Sequence, residues 1–301
     1  MQTYYSNGKL LITGEYLVLN GALALALPTK FGQFLHVTPL NKPLISWKSY
    51  DADGSCWFKT DLTFDTIIEK RHFEEDTVKT TLIEILHYAY KQNPTFLHST
   101  GFEIKTELTF PRNWGLGTSS TLLNNIAQWL KIDAFTLLQE SFGGSGYDIA
   151  CAQNKKGLLY QLANKKPSIQ PVLFHPDFTE NLFFVYLNRK QNSRDAIRNF
   201  STKQPFLTEE TDTISSISKE LTQPNSFERF CYLLEKHENI VSAILDLPTA
   251  KQRLFPDFNG VIKSLGAWGG DFILVASKEN PSAYFKEKGY TTVLTYKEMI
   301  L

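Results

Sequence analysis

The chain has 301 residues, 42% of them hydrophobic and 21% charged, with 31 Lys plus Arg balanced by 31 Asp plus Glu. That length and composition suit a soluble globular protein with enough chain for two domains. A formal net charge of zero lacks the basic excess of a typical nucleic-acid or anionic-membrane binder, so neither partner is expected.

Cys56, Cys151 and Cys231 are far apart and form no C-x-x-C pair. This argues against a disulfide framework or a cysteine zinc site and suits buried structural thiols. The six histidines show no metal-ligand spacing, and there is no G-x-S-x-G elbow. The first residues carry no basic start followed by an apolar run, and no window reaches the roughly 18 apolar residues of a membrane span. The expectation is a soluble, cytoplasmic protein.

Leu10 to Leu27 is apolar, interrupted at Thr13-Gly14-Glu15 and at Asn20-Gly21, and the second break predicts a hairpin. Phe31–Val37 and Leu44–Trp47 read as strands, Asp51-Ala52-Asp53-Gly54 as a turn, and Ser55–Phe58 as the start of the next strand. Val78, Leu82, Ile85, Leu86 and Ala89 recur at helical spacing within Glu75–Gln92, which Asn93-Pro94 ends. Gly101–Phe110 alternates as a strand does. A glycine-rich loop follows, and Ser119–Lys131 returns to helical spacing.

Ala134–Ser141 and Ser145–Gln153 are further helices, separated by Gly143-Gly144, and Gly157–Leu162 is a strand. Pro167, Pro171 and Pro176 mark the expected connection between a domain of residues 1–165 and one of residues 166–301. Beyond them, Leu182–Leu187 reads as a strand and Ser193–Ser201, Glu209–Leu221 and Ser226–Leu245 as helices. A glycine turn at Gly266–Gly270, a strand Phe272–Ala276, a helix Ser282–Lys288 and a strand Thr291–Thr295 close the chain. That order suits a sheet covered by helices on one face.

Four constellations could carry chemistry. In Pro111 to Ser120, Gly115 and Gly117 let backbone approach a ligand, and the helix that follows presents free N–H groups suited to phosphate. Hydroxyls at Thr118, Ser119 and Ser120 could bind phosphate oxygens or Mg²⁺. The alternative is an ordinary turn with a serine N-cap, and no lysine follows the second glycine as in a P-loop. Gly143-Gly144-Ser145-Gly146-Tyr147-Asp148 places a carboxylate on a tight turn at a helix start, where it either reacts or favours the helix dipole. Lys263 to Asp271 is a second glycine turn or a plain hairpin. Ser6-Asn7-Gly8-Lys9 followed by Gly14-Glu15-Tyr16 puts a lysine at the edge of the first apolar strand.

Taken in this order, the segments resemble the GHMP kinases, the family of galactokinase, homoserine kinase, mevalonate kinase and phosphomevalonate kinase. Gly8–Tyr16 is similar to the N-terminal substrate motif, and Pro111–Thr121 to the P-x-x-x-G-L-G-S-S-A-A loop with Thr118 and Thr121 as departures. Gly266–Asp271 is similar to the C-terminal glycine motif. The resemblance implies an α+β, two-domain GHMP kinase fold, with a ribosomal-protein-like N-terminal and a ferredoxin-like C-terminal domain and the active site in the interdomain cleft. It implies ATP and Mg²⁺ as cofactors, with Asp148 as the catalytic aspartate and Lys9 as its partner. ATP would be bound by Pro111, Asn113, Trp114, Gly115, Leu116, Gly117, Thr118, Ser119 and Ser120.

The same resemblance puts the acceptor at Glu15, Tyr16, Ser145, Gly146, Arg194, Gly266, Ala267 and Gly269. It puts the metal at Ser119 and Glu140, the latter standing in for a glutamate that mevalonate kinases carry further upstream. Trp268 replaces the third glycine of the last motif, which narrows that turn or offers a ring to stack on a ligand. Gly-Glu-Tyr at Gly14–Tyr16, Gly144-Ser145-Gly146-Tyr147-Asp148 and Gly269-Gly270-Asp271 lean toward the phosphomevalonate kinases over the mevalonate kinases. A phosphorylated acceptor would need cations such as Lys190, Arg194 and Arg198, whose alternative is a solvated helix face. The resemblance thus implies a phosphomevalonate kinase acting as monomer or homodimer, with a mevalonate kinase or a catalytically weak nucleotide-binding regulatory relative as the alternatives.

Overall fold

The computed structural model describes residues 1–98, 100–164, 166–189, 207–266, 268 and 270–301. Two compact units interleave in sequence. The first is built from Met1–Gly8, Phe31–Arg112 and Gly117–Gln153, the second from Lys9–Lys30, Asn113–Leu116 and Asn154–Leu301. Strands β1 (Gln2–Leu11) and β2 (Ala24–Leu40) each contribute residues to both units and pair with each other.

In the first unit β3 (Leu44–Tyr50) pairs antiparallel with β4 (Cys56–Thr63) and in parallel with β5 (Gly101–Leu108), which pairs antiparallel with β2. In β3 the alternate residues Ile45, Trp47 and Ser49 are buried, the period of a sheet with one face on a core. Helices α1 (Phe64–Ile68), α2 (Thr77–Gln92), α3 (Thr118–Leu130), α4 (Ala134–Ser141) and α5 (Tyr147–Gln153) complete the unit. Leu82, Ile85, Leu86 and Ala89 of α2 and Leu123, Ile126 and Leu130 of α3 form the core with Val37, Ile45, Trp47 and Ile104. Each such Leu or Ile contributes about 1.5–3 kcal/mol by leaving water. Asp76 caps α2 by accepting from the Lys79 amide.

In the second unit the first residues of β2 pair with β6 (Gly157–Ala163), and β6 pairs antiparallel with β7 (Lys166–Val172). The strand order is β4-β3-β5-β2-β6-β7. A second, antiparallel sheet runs β11-β8-β10-β9, from β8 (Leu182–Tyr186), β9 (Val261–Ser264), β10 (Phe272–Ala276) and β11 (Val293–Thr295). Its central strands are buried along their whole length, and Phe255, Phe258 and Phe285 pack against them. Helices α6 (Thr208–Leu221), α7 (Phe227–Leu245), α8 (Ala250–Leu254), α9 (Ser282–Glu287) and α10 (Tyr296–Met299) belong to this unit. No helix among the described residues is long and apolar enough to cross a membrane.

Most expected elements are present, and the exceptions have local causes. Asn20-Gly21 does not make a two-residue hairpin: Leu17–Asn20 is a 3₁₀ turn closed by Gly21 in the left-handed region, its amide bonded to the Val18 carbonyl. The segment with Pro167 and Pro171 is no loose connection but the strand β7, at the end of the sheet order, where proline is tolerated. Cys56 is exposed, so only Cys151 meets the expectation of a fully buried thiol. The helix expected at Ser193–Ser201 lies outside the described residues.

Candidate active site

The glycine loop carries two residues in the left-handed region, Gly115 at φ 69° and Gly117 at φ 96°. Lys9, near the end of β1, holds it twice: its amide donates to the Leu116 carbonyl at 3.0 Å and its Nζ to the Gly115 carbonyl at 3.1 Å. Tyr186 Oη donates to the Asn113 carbonyl, and the Trp114 ring packs on Tyr186 and Phe272. The other side of Gly115 meets Asp271, whose carboxylate carbon would lie 2.4 Å from a Cβ built on the glycine. A side chain at residue 115 therefore has neither room nor a relaxed backbone. Gly115→Ala is expected to cost about 1–3 kcal/mol, read as a lower urea midpoint.

Helix α3 begins at Thr118 with Gly117 as its N-cap and no side-chain cap. The serines do not cap it. Ser120 Oγ donates to the Gly117 carbonyl at 2.8 Å, and Thr121 Oγ1 faces Gln33 Oε1 at 2.8 Å. Ser119 is exposed. Among the described residues no side chain caps the first amides of α3, and these amides with the positive end of the helix dipole suit an anion.

Beside this helix start, within the first unit, is a cavity of about 230 Å³ lined by Thr118, Ser119, Trp57, Phe58, Val78 and Phe142 among others. The lining is mostly apolar and aromatic, and the buried Trp57 Nε1 has no partner among the described residues. The Arg112 guanidinium lies 4.5 Å from the centre of the Trp57 ring, and the Arg112 amide donates to Asp51 Oδ1.

Asp148 stands half-buried in the first turn of α5, following Gly146 at φ 86° and the buried Ser145, and its Oδ1 accepts from the Ile149 amide at 3.1 Å. Glu140 sits on α4 with Oε2 3.5 Å from Gln92 Nε2. No cluster of three or more His, Cys, Asp or Glu that could hold a metal exists among the described residues. That is compatible with Mg²⁺, which commonly binds through one or two protein oxygens plus substrate phosphates.

Glu15 and Tyr16 sit in a buried polar network of the second unit. Glu15 Oε1 accepts from Lys263 Nζ at 2.5 Å, and both side chains are almost wholly buried. Lys263 also donates to the Ser264 carbonyl, while the Ser264 amide and hydroxyl both donate to Glu238. The Gly14 amide donates to His237 Nε2 at 2.9 Å, so that nitrogen is unprotonated. Burial pushes Glu15 up to about 7 against the pull of Lys263, and raises Glu238 as well. Burial, with the Lys263 cation adding to it, holds His237 well below the usual histidine range.

The Leu17 amide bonds back to the Glu15 carbonyl at 2.7 Å, around Tyr16 at φ 61° and ψ −48°. This is a classical γ-turn, a strained conformation costing about 1–3 kcal/mol in a non-glycine residue. The Tyr16 hydroxyl accepts from the Trp268 amide at 3.1 Å. Trp268 is buried, with 7% exposure. Lys190, Arg194, Arg198, Ala267 and Gly269 lie outside the described residues; Gly266 is present with φ 68°.

The structure therefore gathers Lys9, Gly115 and Leu116, and joins Tyr16 to the C-terminal glycine turn. The sequence pattern did not reveal the cavity aromatics, the Lys263–Glu15 pair or the contact of Asp271 with Gly115. One signal was available, a lysine inside the apolar run Val261-Ile262-Lys263, but nothing in the sequence names its partner.

No family profile matches the chain, and no curated protein sequence matches it. Solved structures do. Mevalonate kinase of Methanococcus jannaschii superposes with a TM-score of 0.70 at 17% identity, over 97% of this chain and 96% of the other. A Streptococcus pneumoniae phosphomevalonate kinase, in complex with phosphomevalonate and AMPPNP, gives 0.70 at 17% identity over 98% and 100%. A Lactococcus lactis galactokinase complexed with galactose gives 0.65 at 12% over 98% and 92%. The chain has the α+β fold that these GHMP kinases share.

Proposed function

We propose that the protein is an ATP-dependent small-molecule kinase, and that its acceptor is phosphomevalonate. The observation that carries the reading is the uncapped start of α3, preceded by two left-handed glycines and opening beside an aromatic cavity. A purine fits between aromatic and aliphatic walls, and a chain of phosphates fits a row of free amides. Lys9 adds a positive charge at the Gly115 carbonyl, where γ-phosphoryl transfer would place negative charge. Mg²⁺, when bound with the nucleotide, would neutralise phosphate charge, with the exposed Ser119 hydroxyl and Glu140 as its protein ligands.

Asp148 and Lys9 take the catalytic roles implied by the family resemblance. Asp148 orients the acceptor oxygen, and Ser145 and Gly146 shape the turn that presents it. With a phosphate as acceptor the attacking oxygen is already ionised near neutral pH, so Asp148 positions more than it deprotonates. Residues 1–165 would form the nucleotide-binding domain and residues 166–301 the second domain. On this reading the protein is a cytoplasmic monomer or homodimer that acts on small molecules, and its balanced charge gives no sign of a nucleic-acid partner.

The test is ADP release from ATP and Mg²⁺ with phosphomevalonate or mevalonate supplied separately. Turnover with phosphomevalonate is the expected result. Turnover with mevalonate alone would reassign the acceptor, and tight ATP binding with neither acceptor turned over would identify a regulatory relative. In the same preparation Trp57→Ala is expected to weaken ATP binding by about tenfold or more, by loss of the aromatic wall.

A further inference from the structure

We propose that Glu15 and Tyr16 are positioning residues that hold the glycine loop through the turn after β9, and are not contacts to the acceptor. The proposal rests on the kinase reading above and concerns how this chain keeps its phosphate loop in place.

Polar links to α6, α7, β9 and the turn after β9 fasten the segment from Thr13 to Tyr16. Thr13 Oγ1 lies 2.6 Å from Ser218 Oγ on α6, and the Gly14 amide donates to His237 on α7. Glu15 takes the Lys263 ammonium of β9, and Tyr16 Oη takes the Trp268 amide. Glu15 is only 1% exposed, which leaves its carboxylate no open face toward a small molecule. The γ-turn at Tyr16 persists because the residues on either side are fixed: Glu15 by its buried ion pair, Leu17 by full burial. That turn aims the Tyr16 ring so that its hydroxyl meets the Trp268 amide.

The same β9–β10 connection ends at Asp271. Asp271 is itself in the left-handed region at φ 55°, pinned by its amide to the Arg189 carbonyl and by its carbonyl to the Leu187 amide. Its carboxylate rests against Gly115. Tyr16 therefore holds one point of this connection, while another point abuts the phosphate loop. Small displacements of reacting groups cost catalysis far more than they cost binding. A device that places the loop should thus show its loss in kcat.

Tyr16→Phe keeps the ring and removes the hydroxyl that accepts from the Trp268 amide. Amide hydrogen exchange should show protection at Trp268 falling by about tenfold or more, with the core strand β10 unchanged. In the kinase assay, kcat should fall by about ten- to a hundredfold, with the acceptor KM within about twofold of wild type. An acceptor KM raised tenfold at unchanged kcat would show direct contact and overturn the proposal, as would unchanged exchange at Trp268. The exchange measurement needs no turnover. A wild-type protein that phosphorylates nothing would defeat the kinase reading while the contact itself is still decided.

Discussion

Replacing Asp148 by Asn is expected to lower kcat by about a thousandfold while ATP affinity changes by less than about threefold. The amide preserves the shape of the side chain and its place in the first turn of α5, so neither the fold nor the amides at the start of α3 should be disturbed. On the proposed role, the loss is that of the negative charge that would orient the acceptor and of any proton accepted from it, effects of about 10²–10⁴ in rate. Asn gives up only the charge–dipole attraction, about 0.3–1 kcal/mol, so a purely structural aspartate would still give a variant with near-normal turnover. The measurement is steady-state kcat beside equilibrium binding of ATP, and near-normal turnover removes Asp148 from the mechanism.

Lys263→Ala should have the largest effect on stability. The variant strips the cation from Glu15, inside a region that water does not reach, and leaves the carboxylate uncompensated. Breaking one side of such a pair costs about 3–5 kcal/mol. The pH dependence has a definite sign. Glu15 has a folded-state pKa of about 7, above its ordinary value of 4.5. Its contribution to stability is complete below about pH 4.5 and is lost as pH rises through 7. Without Lys263 the carboxyl loses its attracting charge, and its pKa in the folded state rises further. The deficit of Lys263→Ala relative to wild type should therefore be larger at pH 8 than at pH 5.5. Urea unfolding at the two pH values checks this, and an equal deficit at both would mean that Glu15 ionisation is not what Lys263 compensates.

The parts of the molecule legible from sequence were those governed by local periodicity and backbone chemistry. Helices α2, α3 and α4 follow the three-and-four spacing of their apolar residues, and Asn93-Pro94 ends α2 as expected, while α2 begins at Thr77 behind its Asp76 cap, two residues after the expected Glu75. The glycine loop was legible as a tight turn before a helix, because Gly115 and Gly117 can take the left-handed conformation that the turn needs. Leu17–Asn20 misled because Asn-Gly serves a 3₁₀ turn as readily as a hairpin. Strand β7 was hidden by Pro167 and Pro171, which mark an irregular segment unless the sheet happens to end there.

The buried network was out of reach for a different reason. Glu15 and Lys263 are 248 residues apart, and no pattern within either strand identifies the other as its counter-ion. The cavity poses the same problem, since Trp57, Val78 and Phe142 come from three elements whose proximity is a property of the packed unit. Sequence reasoning located the glycine loop through its composition, but long-range pairing determines what supports it.

The two prolines of β7 also bear on how the protein behaves when concentrated. Pro167 and Pro171 stand opposite Leu162 and Leu158 of β6 and belong to the same alternate set of residues as Ile169. A ladder to β6 that spans seven residue pairs accommodates them where their nitrogens face outward, so two of the three donors in that set are missing from the open border. A second chain docking there would find a broken row of hydrogen-bond partners. The residues that obscured the strand in the sequence thus remove hydrogen-bond donors that edge-to-edge pairing would need.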